Sequence, residues 1–178
     1  MIKFYYKDQK GDYMEYFIRE MEDKDWEDVL KIYKQGIESG ISTFRKDLPD
    51  KKSWESSHLK ACRFILCHNS GSIVGWAALS PTSSRIDYCG VTEVSIYIDK
   101  AHQGKKLGEF LLNKIKDEAE KNGIWTLQSS IFQANKASLK LHKKCGFREV
   151  GYREKIAKDK NDIWQNTVLM EYRSQNIY

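Results

Sequence analysis

Two stretches of the chain repeat apolar residues with the 3.6-residue period of an amphipathic α-helix. The apolar positions of the first stretch are Trp26, Val29, Leu30, Tyr33 and Ile37, and those of the second are Leu107, Phe110, Leu111 and Ile115. Asp23 precedes the first stretch as a candidate N-cap, because its carboxylate can accept a free helix N–H. The pattern therefore predicts one helix after Asp23 and another over residues 107–121, which ends at Asn122 and Gly123.

Shorter runs rich in β-branched and aromatic residues, bounded by turn residues, predict strands. We expect strands at residues 16–19, 63–67, 72–79, 91–98, 125–132, 147–156 and 164–172. Two further helices are expected, over residues 50–61 after Pro49 and over residues 135–145 before Gly146. The order β-α-α-β-β-β-α-β-α-β-β predicts a single domain of the α/β (α+β) class.

Residues 1–15 show no clear hydrophobic period, and we interpret them as a variable N-terminal extension to one domain over residues 16–178. The length of 178 residues and the apolar fraction of 40% suit one domain with a substantial core. No apolar run approaches the ~20 residues that span a bilayer. The N-terminal sequence also lacks the apolar stretch of a signal peptide. We therefore expect a cytoplasmic protein without a membrane partner.

Four cysteines and four histidines show no metal-ligand spacing. Reduced thiols packed in or near the core are the expected state of the cysteines, and no metal is predicted. Basic residues exceed acidic ones over residues 136–160, nine to three. A patch of this kind can meet a phosphorylated ligand, nucleic acid or only water. No further nucleic-acid pattern accompanies it, so no nucleic-acid partner is predicted.

Residues 102–108 (HQGKKLG) carry a strand directly into a helix. Free N–H groups at a helix N-terminus, the positive end of its dipole and glycines that permit close approach together make an anion site. Lys105 and Lys106 add positive charge. A surface turn whose glycines serve geometry alone remains the alternative.

Two segments together resemble the GNAT acetyltransferase superfamily. Gln103 and Gly108 match the ends of its acetyl-coenzyme A signature [QR]-x-x-G-x-[GA], although Lys106 replaces the middle glycine. Residues 135–147 resemble the family element N-x-A-S-x-x-L-[HY]-x-x-x-G-F. From about residue 17 to residue 172 the chain resembles the branch of phosphinothricin and methionine-sulfoximine N-acetyltransferases. It departs from that branch at Asn166, where Asp is common, and at Thr82, where a bulky residue is common.

The resemblance implies the GNAT acyl-CoA N-acyltransferase fold, with a central mixed β-sheet that splays at the strand of Glu93 and helices on both sides. It also implies a β-bulge in that strand, acetyl-CoA as the cosubstrate and assembly as a homodimer. By resemblance, the residues that bind acetyl-CoA are Ile96, Tyr97, Ile98, Gln103, Gly104, Lys105, Lys106, Leu107, Gly108, Glu109, Asn135, Ser138 and Lys144.

Glu93 stands within a β-branched strand, where a carboxylate is costly unless paired or hydrated. Strict alternation places it with Ser95 and Tyr97, so a solvated edge glutamate is one interpretation. The resemblance instead implies a general base that takes a proton from the attacking amine. His142 is the second candidate catalytic residue, since many relatives carry tyrosine there. It can donate a proton to the departing thiolate, orient substrate, or serve as a structural hydrogen-bonding residue.

The acceptor is expected to be a small-molecule amine, in particular an amino acid analogue such as phosphinothricin or methionine sulfoximine. By resemblance, Arg85 holds its carboxylate near Tyr88, while Phe44 and Trp164 form walls of its pocket. A solvated loop arginine and packed core aromatics are the ordinary alternatives. Two other functions remain open at this point. One is acetylation of another amine, such as a polyamine, an aminoglycoside or a protein N-terminus, and the other is a non-catalytic acyl-CoA sensor.

Overall fold

The fold is built on one eight-stranded sheet, seen in a computed structural model that describes residues 2–7, 11 and 13–177. Its strands are β1 (Ile2–Lys7), β2 (Tyr13–Glu20), β3 (Phe64–His68), β4 (Ile73–Pro81), β5 (Val91–Ile98), β6 (Thr126–Phe132), β7 (Arg148–Lys158) and β8 (Trp164–Arg173). Their order across the sheet is β1-β2-β3-β4-β5-β6-β8-β7. Every neighbouring pair is antiparallel except β5 and β6.

Four helices cover the two faces of this sheet. They are α1 (Trp26–Ser39), α2 (Lys51–Ser57), α3 (Leu107–Lys121) and α4 (Lys136–Lys144). The buried side chains of α1 and α2 pack on one face, which we call the α1 face, against Trp76 and Ala78 of β4. The apolar side chains of α3 and α4 pack on the opposite face, the α3 face, against residues that include Val94 and Leu127. The mixed sheet with helices on both sides confirms the predicted fold class.

The predicted bounds of β5 and α3 match the structure at both ends. By contrast, α2 ends four residues before the predicted end at residue 61. Arg63 explains the early end, because its guanidinium donates to the carbonyl oxygens of Glu55, His58 and Leu59 at 2.6–2.9 Å. A helix C-terminus leaves such carbonyls without partners, so the arginine satisfies them and fixes the stop.

No strand was predicted before residue 16, whereas the structure has strand β1 at Ile2–Lys7. Strand β1 pairs antiparallel with β2 and forms one edge of the sheet. Phe4 and Tyr6 pack against the core of the α3 face, and Phe4 stacks on Phe110 of α3 at 5.1 Å between ring centroids. Tyr5, between them, is exposed. An aromatic residue on each side of the strand hides the two-residue period from the sequence. Whether the segment varies among relatives stays a prediction.

The N-cap assignment of Asp23 was also wrong. Residues 23–25 form a 3-10 turn, and α1 begins after Asp25. Arg19 of β2 donates two hydrogen bonds to the carboxylate of Asp25, at 2.7 and 2.8 Å, and the N–H of Glu22 donates a third. Burial alone would raise the pKa of Asp25, but these hydrogen bonds outweigh it and lower that pKa. The buried carboxylate therefore fixes the start of α1 to the sheet.

Gly36 brings the middle of α1 close to β5. An added Cβ at this position would lie 2.5 Å from Cε1 of Tyr97, so the tyrosine ring rests directly on the helix. The same ring stacks on Trp76 at 4.8 Å and packs against the tilted ring of Tyr33 at 4.9 Å between centroids. Glycine costs a helix about 1 kcal/mol relative to alanine, and here it makes room for an aromatic ring. Within the described residues, no helix has the length and apolar character needed to cross a membrane.

We predict that Gly36→Ala lowers the free energy of unfolding. Overpacking a filled core costs about 1–3 kcal/mol, which outweighs the gain in helix propensity. Urea unfolding of the variant measures the change. In a Tyr97→Leu background the same substitution should be milder, because the facing ring is gone. A Gly36→Ala protein more stable than wild type would show that the contact with Tyr97 carries no constraint.

Candidate active site

Strands β5 and β6 separate in the middle of the sheet. Their parallel pairing covers only three registered pairs and ends at Glu93 opposite Gln128. Beyond that point β5 continues to Ile98 on its β4 side, and β6 continues to Phe132 on its β8 side. The backbone edges of residues 94–98 and 129–132 that face each other therefore lack a strand partner. Unpaired N–H and C=O groups of this kind bind an extended ligand readily.

Glu93 stands at the point of separation and is exposed. Its Oε1 accepts a hydrogen bond from the backbone N–H of Ser130 at 3.2 Å. That N–H belongs to the part of β6 that β5 has left, so the carboxylate bridges the opening. The site thus presents a carboxylate at the mouth of the gap, with its other oxygen available to a ligand.

Side-chain alternation holds along the whole of β5. Val94, Ile96 and Ile98 pack on the α3 face, while Tyr97 packs on the α1 face. The pairing of β5 with β4 runs from Pro81 to Gly75 without a shift in register. The bulge expected in β5 from the family resemblance is therefore absent from its pairing with β4. Glu93 consequently lies on the α1 face, by the same alternation that places Tyr97 there.

A cleft of about 1240 Å³ opens at the separation. It is bounded by α1, the following loop, β5, the loop before α3, β6, α4 and part of β7. Fifteen of the residues predicted to form the site line it, and thirteen of them are Phe44, Glu93, Ile96, Tyr97, Ile98, Gln103, Gly104, Lys106, Leu107, Gly108, Glu109, Asn135 and Ser138. His142 and Lys144 line it as well. The structure thus brings both sequence motifs to one cavity.

The N-terminus of α3 opens into this cleft without a side-chain cap. The first backbone N–H to bond in the helical pattern is that of Phe110, which donates to the carbonyl of Lys106 at 3.1 Å. The preceding N–H groups are the unpaired donors found at every helix start, and they suit an anion. Gln103 holds the loop to the end of β5, since its side-chain amide donates to the carbonyl of Ile98.

Lys106 adopts the left-handed conformation, with φ of 61°. This backbone geometry explains why the family signature has glycine here, because left-handed geometry costs a residue with a Cβ about 1–2 kcal/mol. The chain keeps the geometry and adds an exposed ammonium group that lines the cleft. Gly104 is also left-handed, with φ of 78°. The loop shape is therefore retained despite the substitution.

Gly108 also has a packing role that the sequence did not indicate. A Cβ there would lie 3.0 Å from Cδ2 of Leu141, so glycine lets α3 approach α4 closely. A substitution at Gly108 would disturb this helix packing as well as any bound phosphate. Lys144 does not act alone either, because its ammonium pairs with Glu109 at 2.6 Å across the two helices.

Lys105 is the one predicted acetyl-CoA residue that does not line the cleft. Burial lowers the pKa of His68, and the positive charges of His102 and Lys105 lower it further. Lys105 is thus close enough to His68, at the end of β3, to affect its titration. Lys106 therefore lines the cleft, whereas its neighbour Lys105 lies near His68 at the end of β3.

Helix α4 forms one side of the cleft, and hydrogen bonds of Asn135 hold its N-terminus in place. Asn135 caps the helix by accepting from the N–H of Ser138, and its side-chain amide donates to the carbonyl of Ile41 in the loop after α1. His142, one turn after Ser138, is 1% exposed. Its Nδ1 lies 2.9 Å from the carbonyl oxygen of Ser138, and its Nε2 has no hydrogen-bond partner in the part of the chain described.

The hydrogen bond to a carbonyl oxygen defines the state of the His142 ring. Because a carbonyl only accepts, Nδ1 carries the proton and Nε2 presents a lone pair. Burial lowers the pKa of His142, which favours the neutral ring at neutral pH. A neutral ring of this tautomer has no proton on Nε2 to donate. The predicted general-acid role therefore requires the protonated ring, which burial disfavours.

Of the four residues predicted to bind the acceptor, only Phe44 lies at the cleft. Its ring packs against Phe132 of β6, with 4.3 Å between centroids. Arg85 is largely exposed, pairs with Asp87 at 3.1 Å and lies over the ring of Tyr88. Trp164, at the start of β8, is 54% exposed. Neither Arg85 nor Tyr88 nor Trp164 lines the cleft in this structure, and their substrate roles stay predictions.

Three cleft features escaped the sequence analysis: the N–H of Ser130, the ring of Phe132 and the side chains of Arg153 and Ile156 on β7. Ser130 acts through its backbone, so its side-chain type gives no signal. Phe132 ends a predicted strand and looked like ordinary core. Arg153 and Ile156 reach the cleft beside an irregularity in the pairing of β7 with β8, which lies between residues 153 and 157. No local pattern predicts that irregularity.

A sequence profile of the Acetyltransferase (GNAT) family matches residues 14–147, and the chain therefore belongs to the GNAT acetyltransferase family. It is 35% identical over 138 residues to a Bacillus subtilis (strain 168) protein named "Putative phosphinothricin acetyltransferase YwnH", an alignment that covers 75% of this chain and 85% of that one. It is also 31% identical over 102 residues to the L-methionine sulfoximine/L-methionine sulfone acetyltransferase of Salmonella typhimurium, over 57% of this chain and 60% of the relative.

Solved structures agree on the fold. A GNAT superfamily phosphinothricin acetyltransferase from Sinorhizobium meliloti, crystallised in complex with acetyl-CoA, superposes with a TM-score of 0.80. The superposition covers 92% of this chain and 95% of that one, at 21% sequence identity. The family and the fold predicted from the two motifs are thus confirmed, and with them the class of enzyme, an acetyltransferase.

We predict that His142 is neutral at pH 7 with its proton on Nδ1. Long-range ¹H–¹⁵N spectra of the histidine rings resolve the tautomer and its titration. The folded protein has a His142 pKa below the ordinary value of about 6.5, so the unfolded chain binds this proton first as the pH falls. The free energy of unfolding should therefore decrease from about pH 6.5 down through the folded pKa. The His142→Gln variant should lack the part of this decrease in stability at low pH that the histidine causes. An imidazolium at His142 at neutral pH would contradict the assignment.

Proposed function

We propose that this enzyme transfers the acetyl group of acetyl-CoA to the amine of a small amino acid analogue, by direct attack in a ternary complex. The observation that carries the proposal is the position of Glu93. Its carboxylate lies at the point where β5 and β6 separate and at the mouth of the cleft that holds both family motifs. A base is needed there, where donor and acceptor meet.

The donor end of the cleft suits coenzyme A. The uncapped N-terminus of α3 and the ammonium of Lys106 offer backbone donors and charge to the phosphates. The unpaired edge of residues 94–98 offers backbone groups to the extended pantetheine chain. Tyr97 takes part through its backbone only, since its ring is packed beneath α1. The acetyl-CoA complex of the Sinorhizobium meliloti enzyme, which shares the fold, supports this assignment.

The acceptor end suits an amine that must lose a proton. An α-amino group has a pKa of about 7.7–8.0 and is largely an ammonium at neutral pH. Glu93 first takes one proton from the ammonium, and the free amine then attacks the thioester carbon. The tetrahedral adduct loses a second N–H proton to solvent, and the carbon–sulfur bond breaks to release the amide and the coenzyme A thiolate. The thiolate then takes a proton from solvent or from a protonated group. His142 lines the cleft, and its Nε2 has no partner in the described residues, so it can accept a hydrogen bond from the S–H of the thiol once that has formed.

An amino acid analogue is favoured as the acceptor by two relatives. One is named for phosphinothricin and the other for methionine sulfoximine and methionine sulfone, which are small amino acid analogues. The aromatic pair of Phe44 and Phe132 gives the cleft an apolar wall for such a side chain. We also propose a cytoplasmic location, where the four unpaired cysteines would remain reduced.

We predict that Glu93→Gln lowers kcat with methionine sulfone by about 10²–10⁴-fold, the usual contribution of a positioned base. Its affinity for acetyl-CoA should stay at the wild-type value, because the base acts on the amine alone. Thiol release measures turnover, and calorimetry measures the affinity. The loss should shrink at high pH, where the amine is already deprotonated.

Glu149→Gln serves as the matched control, since Glu149 is an ion-paired glutamate on β7 outside the cleft. It should keep wild-type turnover. Full activity of Glu93→Gln across neutral pH would remove the base assignment. Binding of acetyl-CoA without acetylation of any amino acid or amine would instead favour the acyl-CoA sensor.

We further propose that the enzyme is a homodimer joined through β7. This strand is an edge of the sheet, and all of its residues except Ala157 are exposed. Val150, Tyr152 and Ile156 are its exposed apolar residues. An open edge with apolar side chains is a common site of chain association. In a symmetric dimer the β7 strand of a second copy would pair with this edge and cover the apolar side chains of both strands.

For this dimer we predict that Tyr152→Glu shifts sedimentation from the mass of two chains to that of one. Tyr5→Glu is the control, because Tyr5 is an equally exposed tyrosine on the opposite edge strand, β1. It should leave the wild-type mass unchanged. A monomeric wild-type protein, or a dimer that only Tyr5→Glu dissociates, would rule out the β7 interface.

A further inference from the structure

The register of three strands places an arginine beside the acceptor end of the cleft. Phe132 of β6 is opposite Thr167 of β8, and Thr167 is opposite Arg153 of β7. Directly opposed residues in antiparallel strands point to the same face of a sheet. Arg153 therefore points to the face of Phe132 and its partner Phe44, and it lines the same cleft.

The register also sets the distance from Arg153 to Ser130, the residue whose N–H binds the carboxylate of Glu93. Glu93 accepts from the N–H of Ser130, which is two residues before Phe132 on β6. Two strand spacings of about 4.8 Å and two residues of about 3.4 Å separate Ser130 from Arg153, or about 12 Å between Cα atoms. One extended arginine side chain and one small amino acid together bridge that gap. A zwitterion would then place its ammonium at Glu93 and its carboxylate at the guanidinium.

The surroundings leave the Arg153 guanidinium available for a ligand. Within residues 13–177, no carboxylate lies within ion-pair distance of it. Thr167, next to it in the register, is fully buried, and its hydroxyl oxygen has no hydrogen-bond partner in the described protein. This part of the α1 face is thus polar and incompletely satisfied by the protein itself. Buried polar groups are normally satisfied, so a ligand or water is expected there.

A β-bulge holds Arg153 in this position. The register of β7 against β8 shifts between Arg153 and Ala157, and Lys155 within the shift has a φ of 45°. Asn166 stabilises the bulge, because its Oδ1 accepts from the N–H of Lys155 at 2.8 Å and its amide donates to Gln133. Bulges of this kind commonly re-aim side chains beside active sites.

We infer that Arg153 is the residue that binds the acceptor carboxylate and so selects amino acids over simple amines. The inference rests on the proposed function and names a residue for its specificity. Arg45 also lines the cleft, but it lies in the loop after α1 and not on a strand of the sheet. Arg153 instead has the register that places it on the face of Phe132.

The test compares methionine sulfone with its decarboxylated amine as acceptors, by kcat/KM at saturating acetyl-CoA. Arg153→Gln should lower kcat/KM for the amino acid about 10–100-fold, as expected for loss of a hydrogen bond to a charged group, and leave the amine unchanged. Arg153→Lys should restore part of the loss. Arg148→Gln is the control, because Arg148 is on the same strand and is paired with Glu171. Arg85→Gln tests the arginine that the sequence favoured.

The results distinguish a failure of the role assigned to Arg153 from a failure of the proposed function. A wild-type enzyme that prefers the amino acid, with the preference kept by Arg153→Gln or lost in Arg85→Gln instead, overturns the role of Arg153 and leaves the proposed function standing. A wild-type enzyme that acetylates amines but not amino acids overturns both. Equal losses on both acceptors, or a changed sedimentation mass for Arg153→Gln, identify a structural effect and also overturn the inference.

Discussion

The parting of β5 from β6 after Glu93 is the constraint on which the site depends. Two strands with free facing edges would normally close on each other, because unpaired backbone groups are costly when buried. Here β5 is held back on its other edge by β4 as far as Ile98. Its α1 face is held by the ring of Tyr97, which fills the space between Trp76 and Gly36. The gap is thus maintained by packing and pairing on the far sides of both strands, and the cleft is a consequence.

The two ends of the cleft are formed by different kinds of groups, backbone at one end and side chains at the other. At the donor end the groups belong to the backbone: a helix N-terminus without a cap and a strand edge without a partner. Their positions follow from the fold and tolerate a change of side chain, as Lys106 shows by keeping the left-handed geometry of a glycine position. At the proposed acceptor end the groups are the side chains Glu93, Phe44 and Arg153, which line the cleft. A single substitution therefore changes the groups at this end directly, whereas at the other end it leaves the backbone groups in place.

The donor end could be predicted from the sequence because the positions of its backbone groups follow from the fold. Helix periodicity located α3, the β-branched run located β5, and the residues assigned to acetyl-CoA by resemblance line one cleft with the exception of Lys105. The acceptor end was less accessible. Arg85 has the spacing to Glu93 that the family resemblance suggested, yet its guanidinium pairs with Asp87 outside the cleft. Arg153 depends on the pairing of β7 with β8 and on a bulge, and both involve residues distant in sequence. Strand β1 was missed because aromatic residues occupy both of its faces.

His142 shows how burial limits what a motif position can do. At an exposed site a histidine near pH 7 exchanges protons freely, which makes it a natural acid for a leaving thiolate. In this fold the carbonyl oxygen of Ser138 accepts a hydrogen bond from the N–H at Nδ1, and burial lowers the pKa of the ring and so opposes a second proton. The ring is thereby an acceptor at Nε2, which is enclosed and has no partner among the described residues. Since an acceptor stabilises the thiol and not the thiolate, His142 suits the state after proton transfer, and the proton itself must come from elsewhere.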